Sequence, residues 1–232
     1  MKIFAISDLH LSINTNKPMN IFGPVWQDHF AVISKDWLSK VKDDDIVLIA
    51  GDISWGMKLE EAIEDIKEIA KLSGKKIFIR GNHDYWWKSI SAVRQSLPKD
   101  IFALQNDAIK FDNYIICGTR GWTVPEGSEQ SVEDKKIFDR EVIRLELSLK
   151  SAEKLRQNKE KLVCMIHYPP FNSKLEDSEF TKLMEKYNVD VVVYGHLHGK
   201  SGRTLNYVQK NGIDYYLTSC DKVNNTLVTI FD

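Results

Sequence analysis

The chain has 232 residues, which is enough for one large buried core, and its 43% hydrophobic and 28% charged residues exclude a disordered or fibrous protein. Lys and Arg number 32 against 33 Asp and Glu, so the net charge of -1 argues against extended nucleic acid as the main partner. Three widely separated cysteines, without a C-x-x-C pair, and the lack of a long apolar segment favour a reduced, cytoplasmic protein with no secretion or membrane-spanning segment.

Five short apolar segments, rich in β-branched residues and almost unbroken, are typical of strands that are buried on both faces of a sheet. In chain order they are Ile3–Ile6 and residues 46–50, 77–79, 162–166 and 189–194. Helical patterns separate them: apolar side chains form one stripe along residues 59–69, and residues 131–161 predict a single long amphipathic helix. This alternation of strand and helix predicts a largely parallel sheet.

Three further segments predict antiparallel strands. Residues 108–118 have a turn signal between two apolar segments, and residues 207–216 contain Asn211-Gly212, a pair that favours a type I′ hairpin turn. A last strand is predicted at residues 226–231. Because no linker rich in Pro, Gly or Ser divides the chain, the sequence predicts an α/β fold with mixed sheets in one domain, residues 1–232.

Asp, His or Asn side chains follow each of the five predicted apolar strands. Five of the six histidines are in this set, and only His29 is outside it. Ligands bind at the carboxyl ends of the strands in open α/β sheets, so these side chains are expected to meet at one edge. The candidates are Asp8, His10, Asp52, Asn82, His83, Asp84, His167, His196 and His198.

The chemistry and spacing of these residues indicate a metal site. In an extended chain, residues i and i+2 point to the same side, so Asp8 is expected to converge with His10, and His196 with His198. Carboxylates, imidazoles and an amide oxygen, without thiolate, suit Mn, Fe, Zn, Co or Ni rather than Ca or an iron–sulfur cluster. Each pattern alone is weak, but a purely structural reading needs five unrelated reasons for ligand-type residues at strand ends.

Five ordered patterns run through most of the chain: Asp8-x-His10, Gly51-Asp52, Gly81-Asn82-His83-Asp84, His167 and Gly195-His196-x-His198. Together they resemble the five blocks of the calcineurin-like binuclear metallophosphoesterases. The resemblance implies a four-layer αββα sandwich of two mixed β-sheets flanked by helices, and two divalent metal ions. It also implies two ligand sets, which share Asp52 as a bridging carboxylate: Asp8, His10, Asp52 and His198 for one ion, and Asp52, Asn82, His167 and His196 for the other.

The activity that the resemblance implies is hydrolysis of phosphate esters by a metal-dependent phosphoesterase. In that reaction a hydroxide that bridges the two metals attacks phosphorus, and His83, a catalytic residue that is not a ligand, assists the leaving group. Some branches of the family place an Asp three residues after the bridging Asp to support this His, but Trp55 stands there in this chain. Asp84 or a main-chain carbonyl is therefore expected to orient His83.

Aromatic and basic side chains beside these patterns are candidate substrate contacts. An aromatic ring can stack on a flat leaving group or simply pack between loops, and an Arg can clamp a phosphate or form a surface ion pair. The aromatic residues favour a small phosphodiester or nucleotide-like substrate, with phosphomonoester and pyrophosphate bonds as open alternatives. The candidates are Trp55, Trp86, Arg120, Tyr168 and Arg203.

Two other functions compete with hydrolysis of a small phosphate ester. A protein of this fold can be a non-catalytic scaffold for protein binding, but such a protein can lose ligands or the catalytic His, and here all are present. A basic stripe leading to the site would favour a nuclease subunit that acts with a partner, and the net charge does not suggest such a stripe. Residues 14–26 form a long loop that either covers the site or only connects the first strand to the next element.

Overall fold

The computed structural model describes residues 1–13, 17–127, 130–157, 159–199 and 204–232. These residues contain eleven β-strands, five α-helices and two short 3-10 helices, Met19–Phe22 and Pro24–Trp26. The strands are β1 (Ile3–Ile6), β2 (Ile46–Ile49), β3 (Lys75–Phe78), β4 (Ile101–Ala103), β5 (Ala108–Phe111), β6 (Tyr114–Thr119), β7 (Lys161–Ile166), β8 (Val191–Tyr194), β9 (Tyr207–Lys210), β10 (Ile213–Leu217) and β11 (Val228–Phe231). The helices are α1 (His29–Lys40), α2 (Leu59–Ala70), α3 (Ile90–Ser96), α4 (Val132–Leu155) and α5 (Glu179–Lys186).

The strands form two mixed sheets. In one sheet the order is β11-β1-β2-β3-β4, with β1 to β4 parallel and β11 antiparallel to β1. In the other the order is β5-β6-β7-β8-β10-β9, with a parallel centre and an antiparallel strand at each edge. The edge hairpins are the two that the sequence predicts, and Asn211 and Gly212 have the φ values of 52° and 80° that a type I′ turn needs.

Alternate side chains of the central strands point into different layers, which explains why these strands are apolar throughout. In β1, Phe4 and Ile6 pack with residues of α1, α2 and α3, whereas Ile3 and Ala5 pack against the second sheet. The same alternation in β7 sends side chains either to α4 and α5 or to the first sheet. The predicted four-layer αββα sandwich of two mixed sheets is therefore confirmed.

The long helix ends earlier than its amphipathic pattern predicts. α4 ends at Leu155, and Arg156 takes an extended conformation. The Arg156 guanidinium donates to the carbonyl oxygens of Tyr187 and Asn188, both at 3.2 Å, and pairs with Asp190 at 3.4 Å. Because these contacts hold the chain as it turns toward β7, the prediction of a helix up to residue 161 is wrong.

Other elements are not predicted by the apolar pattern. These are β4 and the helices α1, α3 and α5, and β3 also begins before its predicted apolar segment, at Lys75. No helix in the part of the chain that the structure describes has both the length and the apolar character needed to cross a membrane.

Candidate metal centre

The predicted strand-end residues come together at one edge of the sandwich. Asp8, Asp52 and Asn82 follow β1, β2 and β3, which are parallel neighbours in the first sheet. His167 and His196 follow β7 and β8, which are parallel neighbours in the second sheet. Both sheets therefore contribute side chains to a shared site.

The backbone at these strand ends is left-handed rather than extended. φ is 59° at Asp8, 45° at His10, 51° at Asp52 and 71° at His196. Asp and His enter this region more readily than most residues, but each residue held there still costs about 1–3 kcal/mol and depends on its surroundings. The expected extended i and i+2 geometry is therefore wrong for Asp8 and His10. Their side chains converge through a tight turn, in which the His10 N–H donates to the Asp52 carbonyl at 3.0 Å.

Asp8, His10 and His198 form one group of potential ligands. Their ligand atoms lie within 4.8 Å of one another, and Asp8 and His10 are buried. His198 Nε2 is 3.2 Å from Asp8 Oδ1, while its Nδ1 donates to Asp221 Oδ1 at 2.9 Å. The bond to Asp221 fixes the ring so that Nε2 faces Asp8. His10 Nδ1 is buried and has no hydrogen-bond partner among the described residues.

Asp8, Asp52 and His167 form a second group, in which all three residues are buried and the ligand atoms again lie within 4.8 Å of one another. His167 Nδ1 donates to the carbonyl oxygen of Ala50 at 2.9 Å, so its Nε2 is left facing the site. Asn82 Oδ1 lies 2.7 Å from this Nε2 and Asp52 Oδ2 lies 3.4 Å from it. Nε2 therefore either takes a second proton or binds a cation together with these oxygens.

Asp52 lies between the two groups. Its Oδ2 atom is 3.7 Å from His10 Nε2 and 3.4 Å from His167 Nε2, while Oδ1 accepts the main-chain N–H of His83 at 2.8 Å. Gly81 packs so closely on this carboxylate that an added Cβ would collide with it. A glycine is therefore required at that position for Asp52 to reach both groups.

Three carboxylates, those of Asp8, Asp52 and Asp221, attract positive charge to part of the site. Burial opposes protonation of His167, but Asp52 and Asp8 more than offset it and raise its pKa to about 9. Burial likewise opposes protonation of His198, yet its hydrogen bonds to Asp221 and Asp8 raise its pKa to about 10. The field that holds a proton on these rings also favours a metal ion.

The rings of the other two histidines among the candidate ligands, His10 and His196, stay neutral. Burial lowers the pKa of His10 to about 4, against the pull of Asp52 and Asp8. Burial also lowers the pKa of His196 to about 4, and the neighbouring His167 acts in the same direction. Neutral imidazoles keep the lone pair that a metal ion requires.

This donor set fits divalent metal ions. It offers carboxylates, imidazoles and one amide oxygen, and the Nε2 atom of His10 faces the Asp52 carboxylate at 3.7 Å. No thiolate is part of it, so the site suits Mn, Fe, Zn, Co or Ni rather than a cysteine-held ion. The same residues lie within a stretch, residues 1–200, that matches the calcineurin-like phosphoesterase family. The chain belongs to that family. Membership supports a metal-dependent phosphoesterase, and so a hydrolase.

Three known proteins illustrate what the chain is similar to. Over 226 residues the chain is 23% identical to a probable cyclic nucleotide phosphodiesterase of Coxiella burnetii, an alignment that covers 90% of this chain and 79% of that protein. It is also 29% identical to an uncharacterized protein of Methanocaldococcus jannaschii over 121 residues. That alignment covers 50% of this chain and 68% of the relative. The crystal structure of a Thermus thermophilus protein superposes with a TM-score of 0.62 at 12% identity, over 99% of this chain and 97% of that one, and so shows the same fold.

The Asp84 carboxylate bonds to groups other than the His83 ring that it was expected to orient. Its fully buried carboxylate accepts main-chain N–H bonds from Asp52 and Ile53 at 2.9 Å and from Gly81 at 2.8 Å. It also accepts the indole N–H of Trp86 at 3.0 Å and, in a longer bond of 3.3 Å, the main-chain N–H of Ser54. Among the described residues, no hydrogen bond joins Asp84 to the His83 ring. Asp84 therefore holds the loops after β2 and β3 together, and the expected orientation of His83 by its carboxylate is not formed.

The His83 ring is held by aromatic contacts. Its centroid is 4.7 Å from that of Trp55 and 5.5 Å from that of His10. Its Nδ1 is buried without a hydrogen-bond partner among the described residues. Trp55, at the position where some branches of the family carry a supporting Asp, thus contacts the His83 ring but gives its Nδ1 no hydrogen bond.

The predicted aromatic contacts separate into two kinds. Trp55 is half-buried and stacks on His10 at 4.8 Å, and Tyr168 lies 4.1 Å from the His196 ring. Trp86, by contrast, is 1% exposed, so it has no free face for a substrate and packs as part of the core. The prediction of Trp86 as a substrate contact is therefore wrong.

Arg120 and the loop after β1 lie beside the candidate metal centre, whereas Arg203 lies outside the described residues. The main-chain carbonyl of Arg120 accepts the N–H of His167 at 3.0 Å, and its side chain pairs with Glu141 at 3.3 Å. At the end of the loop after β1, the buried ring of Trp26 lies 5.6 Å from that of His198. This part of the loop packs against the candidate ligands.

A cavity of about 460 Å³ adjoins the candidate metal centre. His196 and Tyr168 line it together with apolar side chains that include Val124, Phe171 and Leu205. A wall with one candidate ligand and a mainly apolar remainder suits the organic part of a small ester.

Asp221 is a site residue that the sequence analysis does not identify. It follows β10, and its carboxylate accepts hydrogen bonds from His198 Nδ1 at 2.9 Å and from the main-chain N–H of Gly199 at 2.8 Å. No strand-end pattern marks it, and only the fold brings it to His198.

The Asp221→Asn variant tests this support. An amide cannot supply the negative charge that raises the pKa of His198 and holds its ring, so metal affinity is expected to fall about 10–100-fold. Competition with a chelating dye measures that affinity. Asp139→Asn is the matched control, because Asp139 pairs with Lys135 on the exposed surface of α4, where 55% of its side chain is exposed. Equal affinities for both variants would contradict the role of Asp221.

Proposed function

We propose that the protein hydrolyses a small phosphodiester or nucleotide-like phosphate ester with the help of two divalent metal ions. The observation that carries the proposal is the position of the Asp52 carboxylate, with His10 Nε2 at 3.7 Å and His167 Nε2 at 3.4 Å. A carboxylate with imidazoles on both sides suits a bridge between two cations. Family membership supports the reaction class.

The ligand sets that we propose are those that the resemblance implies. Asp8, His10, Asp52 and His198 would hold one ion, and Asp52, Asn82, His167 and His196 the other. When bound, two divalent ions neutralise the phosphate oxygens and make a nucleophile available near neutral pH.

His83 is proposed as the residue that assists the leaving group. Its main-chain N–H is fixed by Asp52, and its ring packs against Trp55. Because Nδ1 is buried, we assign to Nε2 the proton that passes to the departing oxygen. The role needs an uncoordinated imidazole within reach of the reacting ester.

The cavity beside His196 and Tyr168 supports a substrate with a compact organic group. Its volume of about 460 Å³ is within the range of small-molecule sites, and its mainly apolar wall favours a flat or apolar group. One relative is described as a probable cyclic nucleotide phosphodiesterase, which supports testing nucleotide esters first.

A panel of substrates tests the proposal. Purified protein is stripped of metal, reloaded with Mn²⁺ or another divalent ion, and assayed on generic phosphomonoesters, phosphodiesters, cyclic nucleotides and pyrophosphate. We expect metal-dependent hydrolysis, fastest on small diesters. If the reloaded protein retains its metal but hydrolyses none of them, the scaffold function replaces the proposal.

A further inference from the structure

A second cavity, here called the basic pocket, has a volume of about 130 Å³ and is lined by charged and polar side chains. It lies beside the loops after β3 and β6. The side chains on which the argument depends are Arg80, Lys88, Thr119, Arg120, Glu141 and Arg144.

The basic pocket has more positive than negative charge. Its carboxylate, Glu141, is fully buried and pairs with Arg144 Nη1 at 2.6 Å and with Arg120 Nη2 at 3.3 Å. Thr119 Oγ1 donates to the same carboxylate at 3.1 Å. Among the described residues, four cationic side chains and one carboxylate thus line the pocket, and only Arg120 and Arg144 pair with that carboxylate.

Arg80 forms no ion pair with Glu141, unlike Arg120 and Arg144. Its side chain is half-buried, and its Nε is buried without a hydrogen-bond partner among the described residues. The Nε of Arg120 is in the same state. Guanidinium groups that are half-buried, close together and incompletely paired favour a bound anion.

The basic pocket is next to the candidate metal centre but contains none of its proposed ligands. Arg80 directly precedes Gly81 and Asn82, and the Arg120 carbonyl accepts the N–H of His167 at 3.0 Å. An anion in the pocket would therefore lie beside the loops that carry Asn82 and His167.

We propose that the basic pocket binds a small tetrahedral oxyanion, a phosphoryl group, without help from the metal ions. Guanidinium forks match phosphate oxygens in geometry and charge. The volume suits one phosphate and is too small for a nucleotide. The group comes either from free inorganic phosphate or from a second phosphoryl group on the substrate.

Calorimetric titration with inorganic phosphate tests the binding. The full chain is titrated with its metals and again after chelation, at constant ionic strength. Binding that survives chelation is expected, and Arg80→Gln and Arg144→Gln are each expected to weaken it at least about 10-fold. Arg140→Gln is the control, because Arg140 is exposed on the same helix as Arg144 and does not line the pocket. Circular dichroism checks that each variant is folded.

The absence of phosphate binding in folded, chelated protein, or an equal loss in Arg140→Gln, would overturn the proposal. The calorimetric titration needs no turnover, so its result is independent of whether the protein carries out the proposed hydrolysis. Kinetics then distinguish the two sources. If the pocket holds a substrate group, Arg80→Gln raises KM only for esters with two phosphoryl groups. If it holds free phosphate, the variant loses calorimetric phosphate binding and keeps its KM for every ester.

Discussion

Replacing Asp52 with Asn is expected to remove bound metal and, with it, hydrolysis. Asp52 Oδ2 lies within 3.7 Å of His10 Nε2 and 3.4 Å of His167 Nε2, so its charge serves both proposed ion positions. Loss of a supporting residue already weakens metal binding about 10–100-fold, so loss of the shared carboxylate should exceed about 100-fold. Metal content after dialysis, followed by kcat/KM at increasing metal concentration, measures the effect.

Asp139→Asn provides the comparison for Asp52→Asn, since it makes the same chemical change on the exposed surface of α4. It should retain both metal and activity. The assignment of Asp52 fails if its variant keeps stoichiometric metal and full kcat/KM. Thermal unfolding of both variants shows whether a loss comes from the site or from the fold.

The His83→Ala variant is expected to keep its metal and lose about 10²–10⁴-fold in kcat. The reason is that His83 is proposed to give a proton to the leaving oxygen, and not to bind metal. The p-nitrophenolate of a p-nitrophenyl ester is a weak base and can depart without a proton, whereas the alkoxide of an alkyl ester needs one. The loss should therefore be much larger for the alkyl ester.

The comparison of leaving groups separates proton transfer from structural damage, since damage to the site would slow both esters alike. His83→Gln is the second variant, because glutamine can donate a hydrogen bond but cannot act as a general acid. It should restore little of the rate on the alkyl ester. Equal losses on both esters, or loss of metal, would show that His83 has another role.

The layers of this fold could be predicted because the central strands are apolar on both faces. Alternation in β1 sends Ile3 to one layer and Phe4 to the next, so neither position tolerates a polar residue. The start of β3 could not be predicted in this way. Lys75 and Lys76 interrupt the pattern, yet Lys76 is buried and its Nζ donates to the carbonyl of Leu72. The apolar pattern does not predict helix α1, because the apolar residues Val32 and Leu38 lie on its exposed face and interrupt the amphipathic periodicity.

The grouping of the candidate ligands could also be predicted, because parallel strands bring their carboxyl ends to one edge. The backbone conformation that presents these ligands could not be predicted from the sequence. The left-handed conformation of Asp8 and Asp52 depends on contacts between loops that are distant in sequence. Asp221 follows a strand that pairs with β8, and only that pairing brings it to His198.

The bonds of Asp84 have a consequence for the proposed binding of metal ions. One carboxylate is bonded to main-chain N–H groups on both the segment after β2 and the segment after β3, so neither segment can drift without the other. Donor atoms that already stand in position when a cation arrives do not have to lose chain freedom at that moment. If Asp52 and Asn82 hold metal ions as proposed, the Asp84 bonds would lower the ordering cost of ion binding.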